Sequence, residues 1–253
     1  MAKKIKKIPS VIRLVLPSFE IITAINGERI LKHIEVAGRI AYKSEARITA
    51  GSAKAFVQRI IAQGHESVLE HESISVKFIC DRGVSHELVR HRLASMTQES
   101  TRYVDYAKEG DGQLPTFVIP PWVNVEPGIY EDTDSALVGL GPHDVRWVHH
   151  CFAAAHTYKM LREHDKKVPA WAPQQARAVL PHSTKTEVIF TANLREWRHI
   201  LKLRTDKAAH PQMRQLMIPL CVMFKALLPV VFDDIKIDDE ELEQPGKCIY
   251  VAA

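Results

Sequence analysis

Apolar residues recur at helical spacing over most of this chain, and only short stretches alternate in the way a strand does. The spacing predicts helices over 28–43, 52–63, 85–95, 142–165, 194–204 and 211–228, with a shorter one at 173–180. Ser52 and Ser85 stand where N-caps belong, Gly64 where a helix stops, and Pro142 near a first turn. Residues 73–79 alternate, with Ile74, Val76 and Phe78 on one face, as do residues 184–192 with Val188, Phe190 and Ala192. The segment 107–141 is rich in Gly, Pro and Asp and reads as an irregular excursion with one short strand at Thr116–Ile119. Strands this few and scattered do not make regular βαβ repeats, so the expected class is α+β.

Composition bounds the rest. Of 253 residues, 46% are apolar and 25% charged, with a net charge of +4, which suits a packed soluble chain and excludes disorder. One domain over 1–232 is expected, followed by an acidic tail over 233–253. The tail holds seven acids against Lys236 and Lys247, so the body carries +9. A basic body points to an anionic ligand without saying which. The longest apolar run, Leu216 to Phe232, is interrupted by Pro219, Lys225 and Pro229 and is short for a membrane span. The lysine-rich start lacks an apolar region behind it, so no secretory signal and no membrane contact are expected, and the chain is read as cytoplasmic. Cys80, Cys151, Cys221 and Cys248 form no CxxC pair.

The densest polar stretch is Arg90-His91-Arg92, followed by Gln98-Glu99-Ser100-Thr101-Arg102. Guanidinium groups offer planar forks of donors that match phosphate and imide oxygens. Interleaved Gln, Glu and Ser supply the hydrogen bonds that read a heterocycle. The mix suits a nucleotide pocket, with a structural ion-pair cluster as the competing reading. Glu87 and His91 fall four apart, on one face of a helix. Upstream, Gly64-His65-Glu66-Ser67 and Glu70-His71 read as a helix stop with a capping box from Ser67 to Glu70, or as a polar turn facing the arginines. No HExxH pair accompanies these histidines, and no metal site is expected.

Arg90-His91-Arg92, seven residues, Ser100, one residue and Arg102 resembles the RHR-x7-S-x-R signature of the flavin-dependent thymidylate synthases. Gly64 to Ser67 with Glu70-His71 is similar to that family's GHE turn, Ala176 to Pro181 to its AR-x-[VL]-LP segment, and Asn193 with Leu203-Arg204 to its later block. The resemblance implies an α+β fold with a mixed central sheet and packed helices. It implies reductive methylation of dUMP to dTMP, with FAD as cofactor and NADPH and 5,10-methylenetetrahydrofolate as co-substrates. It also implies a homotetramer with shared active sites. By the same resemblance Arg204 is the catalytic cation that stabilises an N3-deprotonated uracil. Glu87, Leu88, Val89, Arg90, Gln98, Glu99, Ser100, Thr101, Arg102, Arg177 and Arg204 match dUMP positions. Ser67, Arg90, His91, Arg92, Gln98, Asn193, Leu194, Arg195 and His199 match FAD positions, and His65 faces flavin and folate.

The chain departs from the family pattern at Met96-Thr97, Gln98, His199 and His210-Pro211-Gln212. Two other classes compete. A nucleic-acid module would use a helix–turn–helix near 85–105. A metal-dependent hydrolase would use His65, His71, His149 and His150. The nucleic-acid module leaves the distant Arg177 and Arg204 unexplained. Without the resemblance, Arg195 and Arg198 read as surface charges on a helix, and His199 as a satisfied core histidine.

Overall fold

A computed structural model describes residues 11–108, 114–132, 137–163, 168–237 and 247–251. The lysine-rich start, the last residues of the helix expected over 142–165 and most of the acidic tail lie outside the described residues. The chain divides into two compact units: residues 1–16, 80–85 and 98–186, and residues 17–79, 86–97 and 187–253.

In the first unit, strand β1 (Val11–Val15) pairs with two further strands. The one at Thr116–Val118 runs parallel to β1, and the one at Gly128–Glu131 antiparallel. A long helix, Pro142–Arg162, lays Val148, Cys151, Phe152 and Ala155 against Ile12, Leu14 and Phe117. Beside it Asp105 accepts from Arg162 Nε at 3.1 Å and Nη2 at 2.6 Å.

In the second unit, β2 (Ser18–Ile21) is followed by α1 (Gly27–Ile40), α2 (Ser52–Ala62) and β3 (Ser73–Asp81). Asn26 caps α1 by accepting from the Arg29 N–H at 2.9 Å. Helices α1 and α2 meet closely at Gly38, where an added Cβ would lie 2.6 Å from the Phe56 ring. Beneath them Glu35 accepts from Arg39 and from Ser52 Oγ, so Ser52 is the first helical residue and Gly51 holds the cap position expected for it.

The end of α2 sets up the polar turn. Gly64 has φ of +71°, the Gly64 N–H donates to Ile61 O, and the His65 N–H donates to Ile60 O. That is the Schellman arrangement, which needs a left-handed residue. It turns the chain into a 3-10 turn at Glu66–His71, in place of the expected capping box.

Next come α3 (Arg82–Leu88), β4 (Ala94–Gln98), β5 (Thr116–Val118), β6 (Gly128–Glu131) and α4 (Pro142–Arg162). They are followed by α5 (Pro173–Ala176), β7 (Lys185–Asn193), α6 (Leu194–Arg204), α7 (Pro211–Leu227), α8 (Pro229–Phe232) and β8 (Ile249–Val251). The larger sheet has the order β4-β7-β3-β2-β8. The β2–β3 pair is antiparallel and the β2–β8 pair parallel, so the sheet is mixed. Its core face presents Ile74, Val76 and Phe78 from β3 with Val188, Phe190 and Ala192 from β7. On these pack Trp197 of α6 and Phe224 of α7, their rings perpendicular at 5.3 Å.

The single helix expected over 85–95 is therefore wrong. Helix α3 begins at Arg82, its Val84 N–H donates to Asp81 Oδ1, and turns at Arg90 and His91 end it. Ser85 is an interior residue rather than a cap, and Leu93 is 75% exposed. A strand at 94–98 also removes the second helix that a helix–turn–helix near 85–105 would need. No described helix is long and apolar enough to cross a membrane.

Candidate active site

Within the second unit, the turns after α3 and the start of α6 face one cavity of about 850 Å³. Arg90, His91 and Arg92 come from the first, and Asn193, Arg195 and His199 from the second. All six were expected from the sequence. Glu66 and Glu70 of the polar turn join them, as do Glu196 and Lys202, to which the sequence assigned no role. Local folding explains the convergence. Asn193 ends β7 in an extended conformation, and its Oδ1 accepts from the Glu196 N–H at 2.9 Å, which starts α6 at the cavity edge. Leu194, wholly buried, anchors that edge by donating its N–H to Glu72 O.

Arg204 ends α6. Its Nε donates to His91 Nε2 at 3.0 Å and its Nη1 to Glu87 Oε2 at 2.8 Å. Because a guanidinium only donates, His91 Nε2 must carry a lone pair. His91 is 5% exposed, and burial, helped by Arg204 and His199, pushes its pKa down to about 4. The ring is neutral at pH 7, with its proton on Nδ1, and Glu196 Oε1 lies 3.7 Å from that nitrogen. Burial raises the Glu196 carboxyl, partly offset by His199. The His91 ring is neutral, so the contact is not an ion pair.

The other expected residues take different places. Leu88 is wholly buried in the core, and Val89 is partly exposed. His65 and Ser67 are exposed on the polar turn and do not line the cavity. In the first unit, Gln98 Nε2 donates to Ser85 Oγ at 2.9 Å and to Thr186 Oγ1 at 3.2 Å. Glu99 is held by the Tyr106 hydroxyl at 2.6 Å and Lys185 Nζ at 2.9 Å. Burial, reinforced by Glu99, raises the Tyr106 phenol, which therefore stays a donor. Ser100 Oγ accepts from the Arg102 N–H, and exposed Arg177 donates to Thr101 Oγ1 at 3.0 Å. Thr101 and Arg177, 76 residues apart, are thereby brought together.

The cavity's donor set fits a large anionic cofactor. Arg90, Arg92, Arg195 and Lys202 suit a pyrophosphate, and the histidines and Asn193 suit ring oxygens and nitrogens. Its volume lies within the range of about 300–1,000 Å³ of small-molecule sites. Among the described residues, no three His, Cys, Asp or Glu side chains gather as a metal ion would require.

Three arginines, two histidines and Asn193 thus gather around one cavity beside the mixed sheet of an α+β chain. The family model described as thymidylate synthase complementing protein matches residues 24–230. Flavin-dependent thymidylate synthase from Mycolicibacterium gilvum is 34% identical over 215 residues, covering 81% of this chain and 79% of that one. Those of Corynebacterium aurimucosum and Mycobacterium tuberculosis are 32% and 33% identical over 209 and 217 residues, with the same coverage. The chain belongs to the flavin-dependent thymidylate synthase family.

Two solved structures share the fold. Thymidylate synthase X from Helicobacter pylori, with FAD and dUMP, has a TM-score of 0.65 at 20% identity, covering 87% of this chain and 99% of that one. The UMP/dUMP methylase PolB from Streptomyces cacaoi, bound with 5-Br dUMP, has a TM-score of 0.64 at 24% identity, covering 87% and 95%.

Proposed function

We propose that this chain methylates dUMP to dTMP with FAD as its cofactor, 5,10-methylenetetrahydrofolate as carbon donor and NADPH as reductant. The observation that carries the reading is the convergence of Arg90, His91, Arg92, Asn193, Arg195 and His199 on one cavity, with Arg204 fixed beside it by His91 and Glu87. Family membership and the relatives' names support it.

When bound, FAD supplies hydride chemistry to the pyrimidine. The chain's residues do the rest. Arg90, Arg92 and Arg195 hold the cofactor's anionic part, and His91, Asn193 and His199 meet its ring edge. Arg204 keeps its charge in a half-buried setting and offers a fixed cation to a uracil deprotonated at N3, raising electron density at C5. By the family resemblance Arg90, Ser100, Arg102 and Arg177 are assigned to dUMP, as are Glu87, Val89, Gln98, Glu99 and Thr101, whereas Leu88 supports them from the core. In this reading Glu99 works through its hold on Lys185 and Tyr106. His65, exposed on the polar turn, is assigned to the flavin and folate face by the resemblance alone. The working form is a cytoplasmic homotetramer with shared sites, and residues 1–232 act as one catalytic domain.

The test is the visible spectrum of the purified protein, followed by product analysis. A flavin spectrum, native or after reconstitution, with dUMP-dependent NADPH oxidation and dTMP formation is expected. Protein that takes up no FAD, or that oxidises NADPH without forming dTMP, overturns the reading.

A further inference from the structure

Glu196 lies outside every motif that marks the site in sequence, yet it is buried at the cavity wall. Its position is fixed from the backbone, since its own N–H is the one that Asn193 caps. Its Oε1 stands 3.7 Å from His91 Nδ1, on the opposite side of the ring from Arg204. At that distance the contact is an electrostatic one rather than a direct hydrogen bond.

A neutral imidazole has two tautomers of similar energy in water, and the group beside one nitrogen selects between them. With the proton on Nδ1, that N–H meets the Glu196 carboxylate and Nε2 can accept from Arg204. With the proton on Nε2, two N–H groups would oppose each other and Arg204 would lose one of its two fixed partners. The groups packed around the ring are Glu196, His199 and Arg204 from α6, and Glu87 from α3 acts on it through Arg204.

We propose that Glu196 is a positioning residue: it selects the Nδ1–H tautomer of His91, and so keeps Nε2 available to aim Arg204. The catalytic consequence rests on the role given above to Arg204, whereas the tautomer itself does not.

The experiment is a long-range proton–nitrogen correlation spectrum of histidine-labelled protein, with His91 assigned by its loss in His91→Gln. Wild-type protein should show His91 protonated at Nδ1 and bare at Nε2. Glu196→Ala should move the ring toward the other tautomer, and Glu196→Gln, whose amide oxygen still accepts, should restore the wild-type pattern. In FAD-loaded protein, Glu196→Ala should lower kcat for dTMP on the order of tenfold or more with little change in flavin affinity, and Glu196→Gln should recover most of it. A wild-type ring protonated at Nε2 overturns the proposal, as does a Glu196→Ala variant with unchanged tautomer or unchanged kcat. If Glu196→Ala does not fold, the wild-type spectrum and Glu196→Gln still decide: a ring protonated at Nε2 in either one overturns it. Failure of wild-type protein to form dTMP would contradict the proposed function and leave the tautomer result standing.

Discussion

Arg198 donates to both carboxylate oxygens of Asp234, at 2.6 and 2.7 Å, from a side chain that is only 1% exposed. The same guanidinium donates to Glu66 Oε1 at 2.9 and 3.1 Å. Helix α6, the polar turn and the stretch after α8 are thus joined through one buried cation. Burial opposes the charge, but Asp234 and Glu66 more than compensate and raise the Arg198 pKa. Arg198 pulls Asp234 below the usual carboxylate range.

Arg198→Met keeps most of the volume and removes five donors. Leaving Glu66 and Asp234 with only Lys202, at 4.0 and 3.6 Å, should cost about 2–4 kcal/mol, read by urea denaturation. Because Glu66 lines the cavity, FAD affinity should fall as well. Unchanged stability would show that the cluster contributes nothing net.

Trp197 is wholly buried, packs edge-on against Phe224 and tilted against Phe190, and donates its indole N–H to Ile74 O at 2.9 Å. Trp197→Ala should cost about 3–5 kcal/mol, since it leaves a cavity between sheet and helices. Trp197→Phe should cost less, roughly 1–3 kcal/mol, for the smaller ring and the lost hydrogen bond. Thermal or urea melts of both variants give the order directly.

The depressed pKa of His91 ties stability to pH. Unfolded chain takes up the proton near pH 6.5, whereas the folded chain resists until about pH 4. Between those values the unfolded state binds more protons, so stability falls as the pH is lowered through this window. The slope from this one group is at most about 1.4 kcal/mol per pH unit. Melts of FAD-free protein from pH 8 to 4 should show the decline, and His91→Gln should flatten it. Equal slopes in both would remove His91 as the cause.

Three of the four cysteines are fully enclosed. Burial pushes the Cys151 and Cys221 thiols up to about 12 and about 11, and raises Cys80 as well. Thiols held this far from ionisation are poor nucleophiles at neutral pH. Cys80, Cys151 and Cys221 should resist a thiol reagent until the protein is denatured. Cys151→Ala and Cys221→Ala should keep dTMP formation, even where they lower the melting temperature. Loss of turnover in a folded, FAD-loaded variant would point to a thiol in the chemistry.

Long, one-sided patterns were legible in the sequence. Helix α1, helix α2, strand β3, strand β7 and helix α6 fall within a few residues of where the apolar spacing puts them. What failed were short elements whose identity is decided by neighbours. β1, β2, β6 and β8 have three to five residues each, too few for a period to emerge. β4 was missed because the helix expected over 85–95 runs into it, although helix α3 ends at Leu88 and Leu93 is exposed. The cationic members of the site were visible because arginines are conspicuous in a motif. Glu196 and Lys202 were not, since acids and lysines on a helix usually face water and nothing in the chain order places them at the cavity wall. Arg198 was read as a surface charge for the same reason.

The most direct measurement compares dTMP formed by wild-type protein and by Arg204→Ala, each first shown by its absorption spectrum to carry FAD. Wild-type protein should convert dUMP to dTMP, and Arg204→Ala should hold FAD while losing product formation by at least about a hundredfold. Near-wild-type turnover in the FAD-loaded variant would contradict the account, because the cation held by His91 and Glu87 would then have no part in making the uracil reactive.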